Sequence, residues 1–416
     1  MTRTLSRRSL VRALSMALAG IPLGWAVVAE PSAARARPLA DEPTSLDANV
    51  WAATMGSIAD TARDLAPRVY VPHENGGDIA VIDPVTRGIV DRYAVGRTPH
   101  HVTPAYDLTS LYVNVMGSNR LVQIDPRAGR PVRSIPVVAP YNLYFTLDGA
   151  LAVVAAEPVN RLDFYDAGTW QIVARLPIPA SGVDHLDFSA DGSFLMVSGE
   201  FGGQLVKVDL QRLAVAGVVR VGGLPIDVKL APAGDLFYVA NQGRHGVSVV
   251  DPEAMVEIDF VPTGRGAHGM AISRDTRYLY VSNRLAGSIA VIDFESRSIA
   301  AVWSTGGSPD MLQVSPDGTE LWASGRSHGV VYVVDTTSGE LVMEEGHLDE
   351  VDLTVTLDYA TAKAIFVEGN PQAGMQAFMA GKVKVQGDMS KLMAMQQTTP
   401  DPVAAEIQQR IQDITE

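Results

Sequence analysis

The feature that most constrains this chain is a repeat of about 42 residues. An Asp follows a short apolar run seven times, at intervals of 41 to 43 residues: Asp83, Asp125, Asp166, Asp209, Asp251, Asp293 and Asp335. A hydrophobic residue precedes each Asp by thirteen positions, so the internal spacing is constant: Tyr70, Tyr112, Val153, Met196, Tyr238, Tyr280 and Trp322. Self-similarity at this period is typical of repeat architectures rather than of a single irregular core.

One period contains four strand-like runs separated by Gly, Asn, Asp and Pro, as in residues 102–104, 111–115, 121–124 and 132–135. Four short antiparallel strands per repeat make one blade of a propeller. The sequence therefore predicts an all-β fold, a seven-bladed β-propeller over residues 67–340. The first blade begins at the strand around Tyr70 and lacks an innermost strand. We expect residues 353–356, or part of residues 52–65, to supply it.

The repeats resemble those of the YVTN-repeat propeller family. Residues 238–241 (Tyr-Val-Ala-Asn) and 280–283 (Tyr-Val-Ser-Asn) match the motif of that family, and residues 291–293 (Val-Ile-Asp) complete the unit. The resemblance implies the fold. It implies no single function, because related propellers include surface-layer proteins, secreted binding proteins and the propeller subunits of amine dehydrogenases and d-type-haem nitrite reductases.

Composition excludes several classes of partner and chemistry. The formal net charge of −14 argues against nucleic acid and anionic lipid as partners. Because the chain has no cysteine, it has no disulfide, no Cys-ligated metal centre, no covalent c-type haem and no thiol nucleophile.

The N-terminus is typical of an export signal. Arg7 and Arg8 precede Leu10 and an apolar run over residues 13–29, which resembles a twin-arginine signal, and residues 34–36 offer a small-x-small cleavage site. We expect an export signal over residues 1–36 and a linker over residues 37–66, with a periplasmic, cell-wall-associated or secreted protein as the result. The alternative is an uncleaved membrane anchor, which would be the chain's only link to a membrane.

Three motifs in the sequence are better explained by a structural role than by a catalytic one. We interpret the repeated Asp residues as turn caps that accept backbone N–H groups. Residues 325–329 match a nucleophile elbow, but they lie in a hairpin between two predicted strands. Residues 264–269 match a dinucleotide fingerprint, but a strand follows them instead of a helix, so we predict a loop between blades.

A set of polar residues recurs where each innermost strand begins. Because innermost strands line the central channel, these side chains are expected to converge at one mouth, where imidazoles and carboxylates suit a metal or polar ligand. The alternative is that they hold loops and channel water. The candidate ligand-binding residues are His100, His101, Asn142, Asp184, His185, Asp227, His268 and Asp310, with Tyr141 beside them.

After Asp335 the pattern changes to an α+β unit over residues 341–416. Residues 353–356 and 377–389 resemble the second half of a sterol carrier protein type 2 domain, over residues 341–397. That family encloses an apolar tunnel for acyl chains or sterols, so lipid is a possible partner, although the first half of such a domain is absent. The candidate lipid-binding residues are Phe366, Met375, Phe378, Met379, Met389 and Met393, which suit an ordinary small core equally well.

These observations predict a non-enzymatic binding or scaffolding propeller. The alternative is an oxidoreductase-type propeller subunit that binds a metal or haem at the channel mouth. The residues name neither a particular cofactor nor a particular protein or small-molecule partner.

Overall fold

The computed structural model describes residues 50, 60–326, 329–339, 353–356, 361, 363–364, 376–377, 380 and 383–387. The predicted export signal, most of the linker and the six candidate lipid-binding residues lie outside these ranges. The chain divides into two compact units, Met1–Val342 and Met343–Glu416.

The first unit is a seven-bladed all-β propeller made of seven antiparallel sheets in chain order. The strands of blades 1 to 4 are β1 (Val69–His73), β2 (Asp78–Ile82), β3 (Ile89–Ala94), β4 (Pro99–Pro104), β5 (Leu111–Val115), β6 (Arg120–Asp125), β7 (Arg130–Pro136), β8 (Asn142–Phe145), β9 (Leu151–Ala156), β10 (Arg161–Asp166), β11 (Ile172–Pro177), β12 (Val183–Phe188), β13 (Phe194–Gly199), β14 (Gln204–Asp209) and β15 (Ala214–Arg220). Those of blades 5 to 7 are β16 (Pro225–Leu230), β17 (Phe237–Asn241), β18 (Gly246–Asp251), β19 (Val256–Pro262), β20 (Ala267–Ile272), β21 (Tyr278–Asn283), β22 (Ser288–Asp293), β23 (Ser298–Ser304), β24 (Pro309–Val314), β25 (Glu320–Gly325) and β26 (Val331–Asp335).

Blades 2 to 6 each have four strands, whereas blades 1 and 7 have three among the described residues. Blade 1 lacks an innermost strand among the described residues, as predicted. The prediction that residues 353–356 supply this strand is wrong. Residues 353–356 form β27 (Leu353–Thr356), which pairs with β28 (Lys384–Gly387) in a two-stranded antiparallel sheet. Within residues 52–65, the described part forms a 3-10 turn, Asp60–Ala62, and not a strand.

Burial decreases from the centre of each blade to its rim. Second strands such as β5 and β17 are buried at every position, whereas the outermost strand β7 is exposed at all but one. The seven hydrophobic residues at the constant spacing are all buried, including Tyr70 and Trp322. They pack between neighbouring blades, and removing such apolar surface from water stabilises the ring.

Hydrogen bonds from side chains to backbone join consecutive inner strands. The hydroxyl of Tyr144 on β8 accepts from Leu186 N on β12, and Asp187 Oδ2 on β12 accepts from Leu230 N on β16 at 2.8 Å. Asp227 Oδ2 on β16 continues the series by accepting from Met270 N on β20 at 2.8 Å. Each bond satisfies a backbone N–H group that faces the adjacent blade, so these bonds fix the spacing of the inner strands.

The repeated Asp residues cap turns, which confirms their interpretation from sequence. Oδ1 of Asp83 accepts from Val85 N and Thr86 N, and Oδ1 of Asp335 accepts from Thr337 N and Ser338 N. A hydrogen bond from the Thr337 hydroxyl, followed by these backbone hydrogen bonds, favours the ionised carboxyl and lowers the pKa of Asp335 to about 2.

Both rejected motifs also lie where predicted. Residues 264–266 form the loop between β19 and β20, and Gly325 ends β25 at the hairpin to β26. Ser327 and His328 lie outside the described residues. In the part of the chain that is described, no helix is long and apolar enough to cross a membrane.

A buried ion pair offers a test of the inner-strand arrangement. Lys229 Nζ donates to Asp227 Oδ1 at 2.8 Å, and both side chains are almost fully buried. We expect Lys229→Met to destabilise the protein by about 3–5 kcal/mol, because it leaves a buried carboxylate without its counterion. Chemical denaturation measures the change. The matched control is Arg212→Met, which removes an exposed pair with Asp209 and should cost less than about 1 kcal/mol. Equal effects of the two variants would contradict the assignment of Lys229 and Asp227 as a buried ion pair.

Candidate functional site

Five of the six innermost strands carry a β-bulge at the end where the candidate residues lie, whereas β8 pairs with β9 in regular register. In β4, β12, β16, β20 and β24 two consecutive residues oppose a single residue of the second strand. A bulge kinks the strand and re-aims side chains. The bulged pairs lie 25 and 24 positions before the repeated Asp: His100 and His101, Asp184 and His185, Ile226 and Asp227, His268 and Gly269, and Asp310 and Met311.

A polar residue of the second strand holds most of these bulges. Asn114 Nδ2 donates to His101 O, and Ser198 Oγ accepts from His185 N at 3.2 Å. Ser282 Oγ accepts from Gly269 N at 2.8 Å, and Ser324 Oγ accepts from Met311 N at 3.2 Å. The bulge is therefore specified by the residue opposite it, and the inner strand is free to carry His, Asp or Gly.

Four histidines and a tyrosine from blades 2, 3, 4 and 6 meet in one aromatic cluster. The ring centroids of His100 and His101 are 4.8 Å apart, although neighbours in a regular strand point to opposite faces. Tyr141 lies 4.2 Å from His100, and His185 lies 5.2 Å from His101 and 6.5 Å from His268. Residues from four blades contact each other only near the axis, so the cluster lies at the mouth of the central channel.

The surroundings keep two of these imidazoles neutral. Burial among protein atoms, with weaker contributions from His185, Arg326 and Arg284, lowers the pKa of His100 to about 3. Burial and the charge of Arg284 hold the pKa of His268 well below its ordinary value. At neutral pH both rings therefore retain a nitrogen lone pair for a ligand.

On one side of the cluster lies what we term the basic half: Arg284, Asp310 and Arg326. Arg284 Nε donates to Asp310 Oδ1 at 2.5 Å, and Arg284 Nη1 donates to Gln242 Oε1 at 3.2 Å. His268 Nδ1 lies 3.1 Å from Asp310 Oδ1. Arg326 makes longer ion pairs, at 3.8 Å to Asp310 and 3.9 Å to Glu74. Each arginine in this half thus has a carboxylate within ion-pair distance.

Close packing of blades 6 and 7 brings these groups together. Gly269 occupies the second bulge position in blade 6, and a Cβ added there would collide with the carbonyl oxygen of Asp310. Ser282 Oγ also donates to that carbonyl. A side chain at residue 269 would push the strands apart and separate His268 from Asp310.

On the other side lies the acidic half: Glu157, Asp184 and Glu200. Asp184 is fully buried, and its Oδ1 accepts from His185 N at 2.7 Å and from Ser198 Oγ. Glu200 lies within hydrogen-bond range of Asp184, a contact that needs a shared proton, and burial and the Asp184 charge raise the pKa of Glu200 to about 8. Burial and Asp184 also raise the pKa of Glu157.

His185 lies between the two halves and is completely buried. Its Nδ1 is 3.6 Å from Asp184 Oδ1, too long for a hydrogen bond, and neither ring nitrogen has a hydrogen-bond partner among the described residues. Apart from the proton shared with Glu200, Asp184 Oδ2 likewise has no hydrogen-bond donor among the described residues. Buried polar atoms are normally paired, so this part of the mouth needs groups that the described protein does not provide.

Two predicted residues have other roles in the structure. Asn142 is buried and its amide is occupied, since Nδ2 donates to the Tyr144 hydroxyl at 2.7 Å and Oδ1 accepts from Leu143 N at 2.9 Å. Asp227 is paired with Lys229 and with the backbone of the next blade. Both hold inner strands in place and present no free polar atom, whereas the other six predicted residues flank the cluster or form it.

The sequence analysis did not identify the hairpin residues that directly follow the second strand of each blade, five of which are charged. They lie nine positions before the repeated Asp: Glu74, Met116, Glu157, Glu200, Gln242, Arg284 and Arg326. The 3-10 turn Glu157–Val159 packs against β12, which carries Asp184. Alignment of the seven repeats at this second position, in addition to the inner strand, would have identified them.

Among the residues that the structure describes, no group of three or more His, Cys, Asp or Glu side chains is arranged to hold one metal ion.

The raised pKa of Glu200 predicts a pH-dependent stability. Unfolded Glu titrates near 4.3, so between about pH 4.5 and 8 the folded state holds a proton that the unfolded state has lost. Stability from this group is full below pH 4.5 and decreases as the pH rises through 8. Glu200→Gln lacks this titration, so its stability relative to wild type should rise by about 1.4 kcal/mol per pH unit, up to about 5 kcal/mol over that range, as thermal denaturation measures.

The matched control is Asp209→Asn in an outer turn, where backbone hydrogen bonds and Arg212 lower the carboxyl pKa. Asp209 exchanges no proton on unfolding above about pH 5, so this variant should run parallel to wild type from pH 5 to 9. A parallel course for Glu200→Gln would contradict the shared proton.

Three solved structures of similar fold illustrate the architecture. Hydrazine synthase of Kuenenia stuttgartiensis matches with a TM-score of 0.59 and 19% identity, over 65% of this chain and 92% of that chain. A protein of unknown function from Desulfotomaculum acetoxidans matches with a TM-score of 0.58 and 16% identity, over 66% and 93%. The dihydro-heme d1 dehydrogenase NirN, solved in complex with DHE, matches with a TM-score of 0.51 and 17% identity, over 66% and 72%. At these identities the likeness shows the fold alone.

Comparison with curated proteins gave no match. The profile of the family described as YNCE-like beta-propeller matches residues 44–361. This match confirms the predicted repeat propeller and extends beyond residue 340. The resemblance of residues 341–397 to sterol carrier protein type 2 finds no support, and the profile covers the first 21 residues of that stretch. Because the matched region spans more than half of the sequence, the chain belongs to the family of YNCE-like beta-propellers.

Proposed function

We propose that this propeller is an exported, non-enzymatic binding protein that holds a small polar ligand at the mouth of its central channel. The observation that carries the proposal is His185, a completely buried imidazole whose two nitrogens have no hydrogen-bond partner among the described residues. Leaving such a group unpaired costs about 1–3 kcal/mol, so a bound ligand or ordered water is needed to offset the cost.

The surroundings of His185 suit a ligand with both an apolar and a polar part. The rings of Tyr141 and His100 pack against each other with their centroids 4.2 Å apart and provide aromatic surface. Charged groups lie on either side of the cluster. Binding sites commonly combine an aromatic lining with a few placed polar groups.

A thermal-shift comparison tests this function. We expect at least one class from a balanced set of small carboxylates, amines, alcohols and azoles to raise the melting temperature of the full-length protein. A ligand at 100 times its Kd adds about 2.7 kcal/mol to stability. His185→Leu keeps the side-chain volume but removes the polar atoms. It should equal or exceed the stability of ligand-free wild type and lose the ligand-induced shift. Equal shifts in both proteins, or none in wild type, would refute the proposal.

Export is supported by the sequence of residues 1–36, in which Arg7 and Arg8 precede an apolar run. A lipid-binding role for residues 341–397 rests on the sequence resemblance alone, and its candidate residues lie outside the described part of the chain. We therefore assign the proposed binding activity to the propeller.

The second candidate is an oxidoreductase-type propeller subunit with a metal or haem at the mouth. Two of the similar structures carry the titles of a hydrazine synthase and a dihydro-heme d1 dehydrogenase. The neutral rings of His100 and His268 provide lone pairs of the kind that transition metals and haem iron accept.

Metal analysis and visible spectroscopy distinguish the two functions. From the binding proposal we expect purified full-length protein to hold less than one metal ion per chain and to show no visible absorption band. Stoichiometric metal or a haem spectrum that is lost in the double variant His101→Ala, His185→Ala, with the fold retained, would instead establish the second candidate.

A further inference from the structure

The two halves of the mouth differ in how their charge is balanced. In the basic half, Arg284 pairs with Asp310, and Arg326 lies within ion-pair distance of Asp310 and Glu74. In the acidic half, no Lys or Arg of the described residues lies within ion-pair distance of Glu157, Asp184 or Glu200; the ring of His185 lies 3.6 Å from Asp184. A cation is therefore missing from one side of the mouth only.

The acidic half is also rich in acceptors and poor in donors. Apart from the proton of Glu200, Asp184 Oδ2 is buried without a donor, and neither ring nitrogen of His185 has a hydrogen-bond partner among the described residues. The carboxyl groups of Glu157 and Glu200 lie close enough to Asp184 for its charge to affect their titration. A ligand that satisfies these atoms must bring several N–H or O–H donors together with a positive charge.

A single metal ion fits this arrangement poorly. No three of the described His, Asp and Glu side chains are placed to bind one ion, whereas the N–H groups of an ammonium reach separate acceptors in different directions. The ring of Tyr141, whose centroid lies 5.6 Å from that of His185, is suited to attract a cation through its π-face and to pack against an alkyl group.

Building on the proposed function, we propose that the ligand of the channel mouth is an organic primary ammonium ion, held by Asp184, Glu200 and His185 with its alkyl part against Tyr141. Glu157 adds negative charge at the entrance.

When the ligand binds, the ammonium ion replaces the proton of Glu200. Without ligand, the proton on Glu200 is what allows this carboxyl to lie beside the Asp184 carboxylate. When the ammonium ion enters, its N–H groups take the place of that proton, which leaves to solvent. The balance is one ammonium ion bound for one proton released, with no covalent bond made or broken other than the O–H bond of Glu200.

The exchange makes binding pH-dependent. Below about pH 8 the ligand must displace the proton, and above it Glu200 is already ionised. For a single linked proton the apparent affinity changes about tenfold per pH unit below the pKa of the group. Affinity for n-butylammonium should therefore be roughly a hundredfold higher at pH 9 than at pH 6.

We would titrate the full-length protein with n-butylammonium by calorimetry at pH 6 and pH 9, and measure proton release with an indicator dye at pH 7 in weakly buffered solution. The expected results are the affinity change with pH and close to one proton released per ligand. Neutral n-butanol should not bind measurably. Tetramethylammonium has the charge but no N–H donor, so it should bind at least tenfold more weakly.

Two variants localise the effect. Glu200→Gln should abolish proton release and remove most of the pH dependence, whereas Glu253→Gln, at an exposed outer position paired with Lys207, should leave both unchanged. Equal affinity at pH 6 and pH 9, equal binding of tetramethylammonium, or an unchanged Glu200→Gln variant would overturn the proposal.

The result also separates this inference from the proposed function. If n-butylammonium does not bind but another ligand class shifts wild type and not His185→Leu, the mouth is a binding site and only the ammonium assignment fails. If neither experiment gives binding, both proposals fail.

Discussion

A two-residue bulge at the start of most inner strands is the constraint on which the rest of the mouth depends. Five innermost strands carry it, and the second strand provides a single opposing residue, such as Asn114 or Ser198, whose side chain in most blades bonds the bulged backbone. A regular strand would send His100 and His101 to opposite faces. With the bulge, both rings reach the same cluster.

Electrostatics at the mouth follows from this convergence, because groups from separate blades are forced into one poorly solvated space. His100 and His268 stay neutral, and Glu200 keeps a proton. Asp227 differs, because buried Lys229 balances its charge and it holds neighbouring strands together. Residue type alone does not distinguish a paired carboxylate from an unpaired one; the nearest counterion does.

The sequence predicts the features that follow from the spacing of the repeats, but not those that depend on contacts between blades. The constant spacing from Tyr70 to Trp322 is a one-dimensional property, so fold, blade number, strand order and turn caps follow from counting. The contact of Arg284 with Asp310 across 26 residues depends on how closely blades 6 and 7 approach, which the sequence records only as glycine at position 269. The pairing of β27 with β28 was missed because a strand such as Leu353–Thr356 carries no information about its partner.

The seven repeats nevertheless separate structure from function within one chain. Positions that stabilise every blade keep their residue type: the turn residue is always Asp, and the core residue thirteen positions earlier is always large or branched and buried. Positions at the mouth do not, since the residue nine before the Asp is Glu in three blades, Arg in two, Met in one and Gln in one. A ring of seven identical charges would repel itself and bind no ligand in a defined orientation. Divergence at this position places carboxyls on one side and arginines on the other, so the scaffold is nearly symmetric while its mouth is directional.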